Sequence, residues 1–161
     1  VEITLPPGFD YDLTTERVKK PVAEWQALGV RLQGGGDLPD HGAASVLLPG
    51  GHRGVAFLIF QNFHVIETYN TADAYVIAVG HLADRLRGAE AFKGAWPRDE
   101  RALSFVEQVA LQKSLTATGF DTGGIDAKMG PKTIAAIKGF QKSKGLVPDG
   151  FPSLSVLTAL Q

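Results

Sequence analysis

Tyr69, Asn70 and Tyr75 sit where two apolar-patterned segments of the chain meet, with Thr71-Ala72-Asp73-Ala74 between the asparagine and the second tyrosine. Flat aromatic faces can stack on sugar rings, and a carboxamide both donates and accepts hydrogen bonds. Held on a stiff mount, such a group could grip a sugar chain. Other roles are open to the same residues. The tyrosines could be core aromatics with the hydroxyl at the surface, and Asn70 could cap the next helix, a job that would also aim its amide. Glu67 is the one carboxylate close to this group in sequence, and reads as a solvated helix-end residue or a direct ligand.

Other chemistries find little support. The chain has no cysteine, which removes disulfides and thiolate metal sites. His41, His52, His64 and His81 show no ligand-like spacing, so no metal site and no cofactor is expected. Residues 33–54 hold seven glycines and two prolines, but match neither the dinucleotide nor the P-loop pattern, and read as turns. No nucleophile-elbow sequence is present. A formal charge of −1 leaves no basic footprint for nucleic acid. No apolar run approaches the roughly 20 residues that span a bilayer.

The elements that must position the group follow from periodicity. Val1–Leu5 alternates as a strand and stops at Pro6-Pro7-Gly8. From Thr14 to Leu28 the spacing of Val18, Val22, Trp25 and Leu28 predicts a helix, opened or kinked by Pro21 and ended by Gly29, with Trp25 in the core. Short strands are expected at Val46–Leu48 and Val55–Phe60. A short helix is expected from about Asn62 to Thr68 and a longer one from about Thr71 to Arg87. The longer one carries the stripe Tyr75, Val76, Val79, Leu82, Ala83 and Leu86, and Asn70 caps it with Asp73 as capping-box partner. The helical pattern breaks between Gly88 and Ala102, around Trp96-Pro97. Beyond it, Ser104-x-x-Glu107 is a capping box opening the first of three short helices. Asp126 and Asp149 each precede a helix start and are read as ties for loop amides.

The tail resembles the small peptidoglycan-binding domain appended to many cell-wall enzymes. The carriers are Gln112-x-x-Leu115, Gly119-Phe120, Gly123, Asp126, Gly130-x-x-Thr133-x-x-Ala136-Ile137-x-x-Phe140-Gln141 and Gly145-Leu146-x-x-Asp149-Gly150. Ala127 stands where that pattern usually has glycine, and Phe151-Pro152-Ser153 replaces a second Gly-x-x-Thr. The preceding part resembles the C-terminal portion of the catalytic domain of lytic murein transglycosylases of the membrane-bound B type. It does so through Glu2-x-x-Leu5-Pro6-x-Gly8-Phe9-Asp10, Trp25-x-x-x-Gly29-Val30, Leu48-Pro49-x-Gly51, Ala56-Phe57-Leu58, Asn62-Phe63, Tyr69-Asn70-x-x-x-x-Tyr75 and Ala78-Val79-x-x-Leu82-Ala83-Asp84-Arg85. Ala72 occupies a position where the family usually has serine.

The resemblance implies a mainly helical α+β chain. Residues 1–98 would form the saccharide-gripping lobe of a lysozyme-like domain, 99–103 a linker, and 104–161 a three-helix wall-binding domain. It implies glycan contact at Tyr69, Asn70 and Tyr75, peptidoglycan strands as partner, and a monomer in the periplasm. Any membrane attachment, as to the outer membrane, would come through a lipid anchor or signal outside this chain. In that family a single glutamate, in a Glu-Ser/Thr-x-Phe-Gly-like setting on an earlier helix, cuts the glycan to a 1,6-anhydro product. No such sequence occurs here, so no catalytic residue is assigned and the chain is expected to be inactive alone. Val1 opens it without a methionine or leader, as expected of a piece of a longer protein. The rival reading is a non-catalytic peptidoglycan-binding or scaffolding protein.

Overall fold

The computed structural model describes residues 1–161. The chain divides into two compact units, Val1–Trp96 and Pro97–Gln161. It is mainly helical, with six α-helices and one small antiparallel sheet.

In the first unit, β1 (Glu2–Thr4), β2 (Arg31–Leu32), β3 (Ser45–Leu47) and β4 (Ala56–Ile59) form a sheet in the order β2-β1-β4-β3. Ile3 lies opposite Leu32 and Ala56, and Val46 opposite Leu58. The unbroken apolar run Val55–Phe60 is explained by burial on both faces of the sheet. Leu58 and Phe60 join Ile3, Val46, Val22 and Trp25 on one side, whereas Val55, Phe57 and Ile59 pack on the other with Phe63, Ile77 and Phe92.

Helix α1 runs only from Val22 to Ala27. Of the two roles read for Pro21, opening the helix or kinking it, the structure realises the first, and no helix begins at Thr14. A 3-10 turn at Tyr11–Leu13 comes first, and Pro21, with ψ 149°, sits at the cap outside the helix. A proline disfavours helical conformation in the residue before it, so the three- and four-residue spacing from Val18 spans two different elements. Leu28 is correspondingly exposed. Gly29, at φ 88°, ends the helix, with the Val30 amide donating to Trp25 O at 3.0 Å. Trp25 is fully buried, and its Nε1 donates to Ala44 O at 2.9 Å, so its one polar atom is satisfied.

Helices α2 (Gln61–Glu67) and α3 (Asp73–Leu86) follow β4 and pack on each other. The apolar stripe of α3 is mostly uncovered in this chain. Val76 alone is buried, while Leu82 is 60% and Leu86 81% exposed. Residues after α3 return to the sheet. The rings of His81 and Phe92 stack at 3.8 Å, Phe92 meets Phe57 edge-on, and the Glu2 carboxylate accepts from the Lys93 and Gly94 amides. Trp96 lies against Phe57 and Gly50, within this unit.

The second unit contains α4 (Phe105–Ala117), α5 (Pro131–Ser143) and α6 (Leu154–Ala159) around Leu111, Leu115, Ala136, Ile137, Phe140, Val156 and Leu157. Residues 99–103, read from sequence as a linker, contribute to it. Leu103 is in the core, and Glu100 accepts from the Leu154 amide at 3.1 Å. The capping box of α4 forms, and Arg101 closes on Glu107 with two bonds of 2.6 and 2.7 Å. That pairing, then the Ser104 amide and hydroxyl, push the Glu107 carboxyl down to about 2.

The repeated Asp-turn is held by a pair of glutamines. Gln112 Oε1 accepts from the Asp126 and Ala127 amides, and its Nε2 donates to Asp126, Lys128 O and Thr133. Gln141 repeats the device, accepting from the Gly150 amide at 2.9 Å and donating to Asp149 at 2.7 Å. Asp126 accepts from the Lys128 amide at 2.9 Å and Asp149 from the Phe151 amide at 3.0 Å, tying down loop amides as read from sequence. Ala127 adopts φ 62°, the left-handed conformation that the glycine usual at this position would adopt freely. An L-residue there costs about 1–2 kcal/mol. Ser153, in the segment that departs from the repeat, caps α6 by accepting from the Val156 amide at 3.1 Å.

Candidate functional site

The junction between α2 and α3 is a tight turn whose geometry starts at the end of α2. The Thr68 hydroxyl donates to Val65 O at 2.6 Å, and the Tyr69 amide donates to Ile66 O at 2.9 Å. These bonds stop the helix and throw the Tyr69 side chain outward, where it is 82% exposed. Asn70 Oδ1 then accepts from the Ala72 amide at 2.9 Å, an Asx turn. Tyr75, on the first turn of α3, is 43% exposed.

Asn70 is therefore not the helix cap expected from sequence. Ala72 holds that position, with no side-chain cap, and its carbonyl accepts from the Tyr75 and Val76 amides. The correction has a simple cause: Asn70 spends its oxygen on the turn itself, one step too early to reach the first amides of α3. Its Nδ2 makes no bond within the chain. A largely exposed and a half-exposed phenol ring and a free amide on a braced turn make a surface able to stack on, and donate to, a saccharide.

Glu67, the last residue of α2, is not a solvated helix-end carboxylate. Its side chain is three-quarters buried and 3.1 Å from His64 Nδ1. Glu16, from the turn before α1, approaches the same nitrogen at 3.8 Å. Burial, then the neighbouring Glu67 and Asp73, hold the Glu16 carboxyl above its ordinary range, with His64 and Lys19 offsetting part of the effect. Burial, then Glu67, does the same for Asp73. Sequence reading gave Glu16, His64 and Asp73 no place in a shared charged group. Spacing along the chain carried no signal that residue 16 meets residues 64 and 67.

A cleft of about 340 Å³ opens beside this region, walled by Phe57, Phe63, Ile66, Val76, Ile77 and Gly80 among others. Tyr69, Asn70 and Tyr75 are not part of its lining. The predicted contact surface is the exposed turn, not the cleft.

The transglycosylase SLT domain model matches residues 1–84, and a peptidoglycan binding domain model matches residues 107–160. The chain belongs to the transglycosylase SLT family. It is 43% identical to SltB3 from Pseudomonas aeruginosa in the crystal structure of its complex with NAG-anhNAM-pentapeptide. That match has a TM-score of 0.94 and covers 99% of this chain and 43% of that one. Against SltB3 in complex with NAG-NAM-pentapeptide the identity is 44% and the TM-score 0.94, over 99% of this chain and 44% of that one. The chain thus spans less than half the length of these structures. No curated protein matches it.

Proposed function

We propose that this chain is the glycan-gripping and wall-targeting part of a peptidoglycan lytic transglycosylase. The observation that carries the reading is the Tyr69-Asn70-Tyr75 turn, exposed and braced inside the segment matched by the transglycosylase model. Complexes of the similar SltB3 with NAG–NAM pentapeptides support a saccharide of that class as the ligand. The turn presents aromatic faces and an amide to the strand. The second unit, matched by a wall-binding model, keeps substrate at high local concentration, so binding by two modules exceeds either alone.

In this reading the bond between N-acetylmuramic acid and N-acetylglucosamine is broken by one glutamic acid. It protonates the glycosidic oxygen, then as carboxylate takes the proton of the muramyl 6-hydroxyl, which closes on C1 to give the 1,6-anhydro sugar. Such an acid needs a raised pKa and a free proton-transfer path. Glu16 and Asp73 have raised pKa values, but Glu16 faces His64, and neither lies in the Glu-Ser/Thr-x-Phe-Gly setting of the family. We place the acid outside these 161 residues, which leaves this chain binding but inactive. The protein works as a monomer on the periplasmic wall, and any outer-membrane anchor lies outside this chain.

The test is to incubate the chain with insoluble peptidoglycan, pellet it, and examine the supernatant by mass spectrometry. Co-pelleting without 1,6-anhydro-muropeptides is expected. Anhydro products would place the acid within the chain, with Glu67, Glu16 and Asp73 as the first residues to replace.

A further inference from the structure

The charged group at the end of α2 has the makings of a site that the glycan reading does not use. We propose that Glu16, His64 and Glu67 bind a divalent cation of the zinc class, with His64 Nδ1 and one oxygen of each glutamate as ligands and water in the fourth position.

The geometry carries this. One ligand atom from each of the three residues lies within 4.8 Å of the other two. The two edges that meet at His64 Nδ1 measure 3.1 Å to Glu67 and 3.8 Å to Glu16. A tetrahedral zinc ion with bonds of about 2.0–2.2 Å needs ligand atoms about 3.4 Å apart. The two edges at His64 Nδ1 bracket that value and the third is within 4.8 Å, so side-chain rotations that draw the two carboxylates together would close the site. Imidazole plus carboxylates is a zinc-type donor set, whereas calcium and magnesium take oxygen ligands alone.

The ligands are also held in place. His64 and Glu67 share one face of α2 at a spacing of three residues, and the His64 ring meets Phe63 edge-on at 5.8 Å. Glu16 comes from a separate segment whose backbone carbonyl accepts from the buried Ser45 hydroxyl at 3.1 Å. All three side chains are only partly exposed, and a further carboxylate, Asp73, acts on both glutamates. Three carboxylates and one imidazole concentrate negative charge that a divalent ion would neutralise. The bound ion would pin the turn before α1 to the end of α2, one residue ahead of Thr68 and the exposed tyrosine. Sequence reading expected no metal because it weighed histidine spacing and cysteine, and two of these three ligands are glutamates.

The experiment is calorimetric titration of Zn²⁺ into the metal-stripped 161-residue chain. One ion per chain is expected. Changes to groups that merely support a metal ligand cost about 10–100-fold in affinity, so His64→Ala and Glu16→Gln should each cost at least about tenfold. His52→Ala, in the loop before β4, should leave the binding intact. Thermal melts of each variant without metal show whether it is folded. Absence of Zn²⁺ binding, or binding indifferent to both substitutions in folded variants, would overturn the proposal and leave His64 as a hydrogen-bond partner of Glu67. Because the readout is zinc alone, the result is independent of whether the turn binds glycan.

Discussion

Replacing Tyr69 and Asn70 together with alanine should weaken binding of the chain to soluble NAG–NAM oligomers by about 5- to 150-fold while barely moving its melting temperature. The estimate joins about 0.5–1.5 kcal/mol for a lost aromatic contact and about 0.5–1.5 kcal/mol for a lost hydrogen bond. Their sum converts to the quoted range. Stability should hold because Tyr69 is 82% exposed and Asn70 contributes one turn bond. Exposed substitutions of this kind usually change stability by about 0.5 kcal/mol or less. Tyr69→Phe, which keeps the ring, should retain most of the affinity. Affinity measured by calorimetry beside a thermal melt checks both halves. A large drop in melting temperature with unchanged affinity would mean that these residues hold the fold and not the glycan.

The second large effect is on stability. Gln112→Ala should destabilise the Pro97–Gln161 unit by about 2–4 kcal/mol. Gln112 is almost fully buried, and its amide satisfies the Asp126 and Ala127 amides, Lys128 O and the Thr133 hydroxyl. Leaving a buried polar group unsatisfied costs about 1–3 kcal/mol, and at least two lose their partner. For a unit this small, each kcal/mol moves the melting temperature by about 4–8 °C. Gln112→Glu keeps the acceptor but removes the donors and buries a charge beside Asp126, so it should do no better. Denaturant unfolding of the full chain, followed at the transition of this unit, measures the effect. A change under about 0.5 kcal/mol would mean that water replaces the clamp.

Much of this architecture was legible in the sequence wherever one local rule acts alone. The Val55–Phe60 strand, the Ser104–Glu107 box, Trp25 as core and the two aspartate ties all follow from alternation, capping or turn chemistry. The readings that missed needed tertiary information. The helix opens at Pro21, one of the two roles read for it, and the stretch from Thr14 to Lys20 is not helical, because those residues take part in the turn that carries Glu16 and in a bridge between Lys20 and Ala44. Asn70 closes a turn where a cap was expected, a difference of one hydrogen-bond acceptor. The α3 stripe has the right period for burial, yet Leu82 and Leu86 meet no core in this chain. Period reports that a face is apolar, not what covers it. The grouping of Glu16 with His64 and Glu67 had no local signature at all.

The most direct measurement is two-dimensional amide NMR of the labelled chain titrated with a soluble NAG–NAM oligomer. The account predicts that the strongest shifts in the first unit centre on residues 68–76, around Tyr69, Asn70 and Tyr75, with a second group of shifts in residues 104–161. Shifts confined to the second unit, or centred on the cleft lined by Phe57, Phe63 and Ile77, would contradict the assignment of the turn as the glycan-gripping surface.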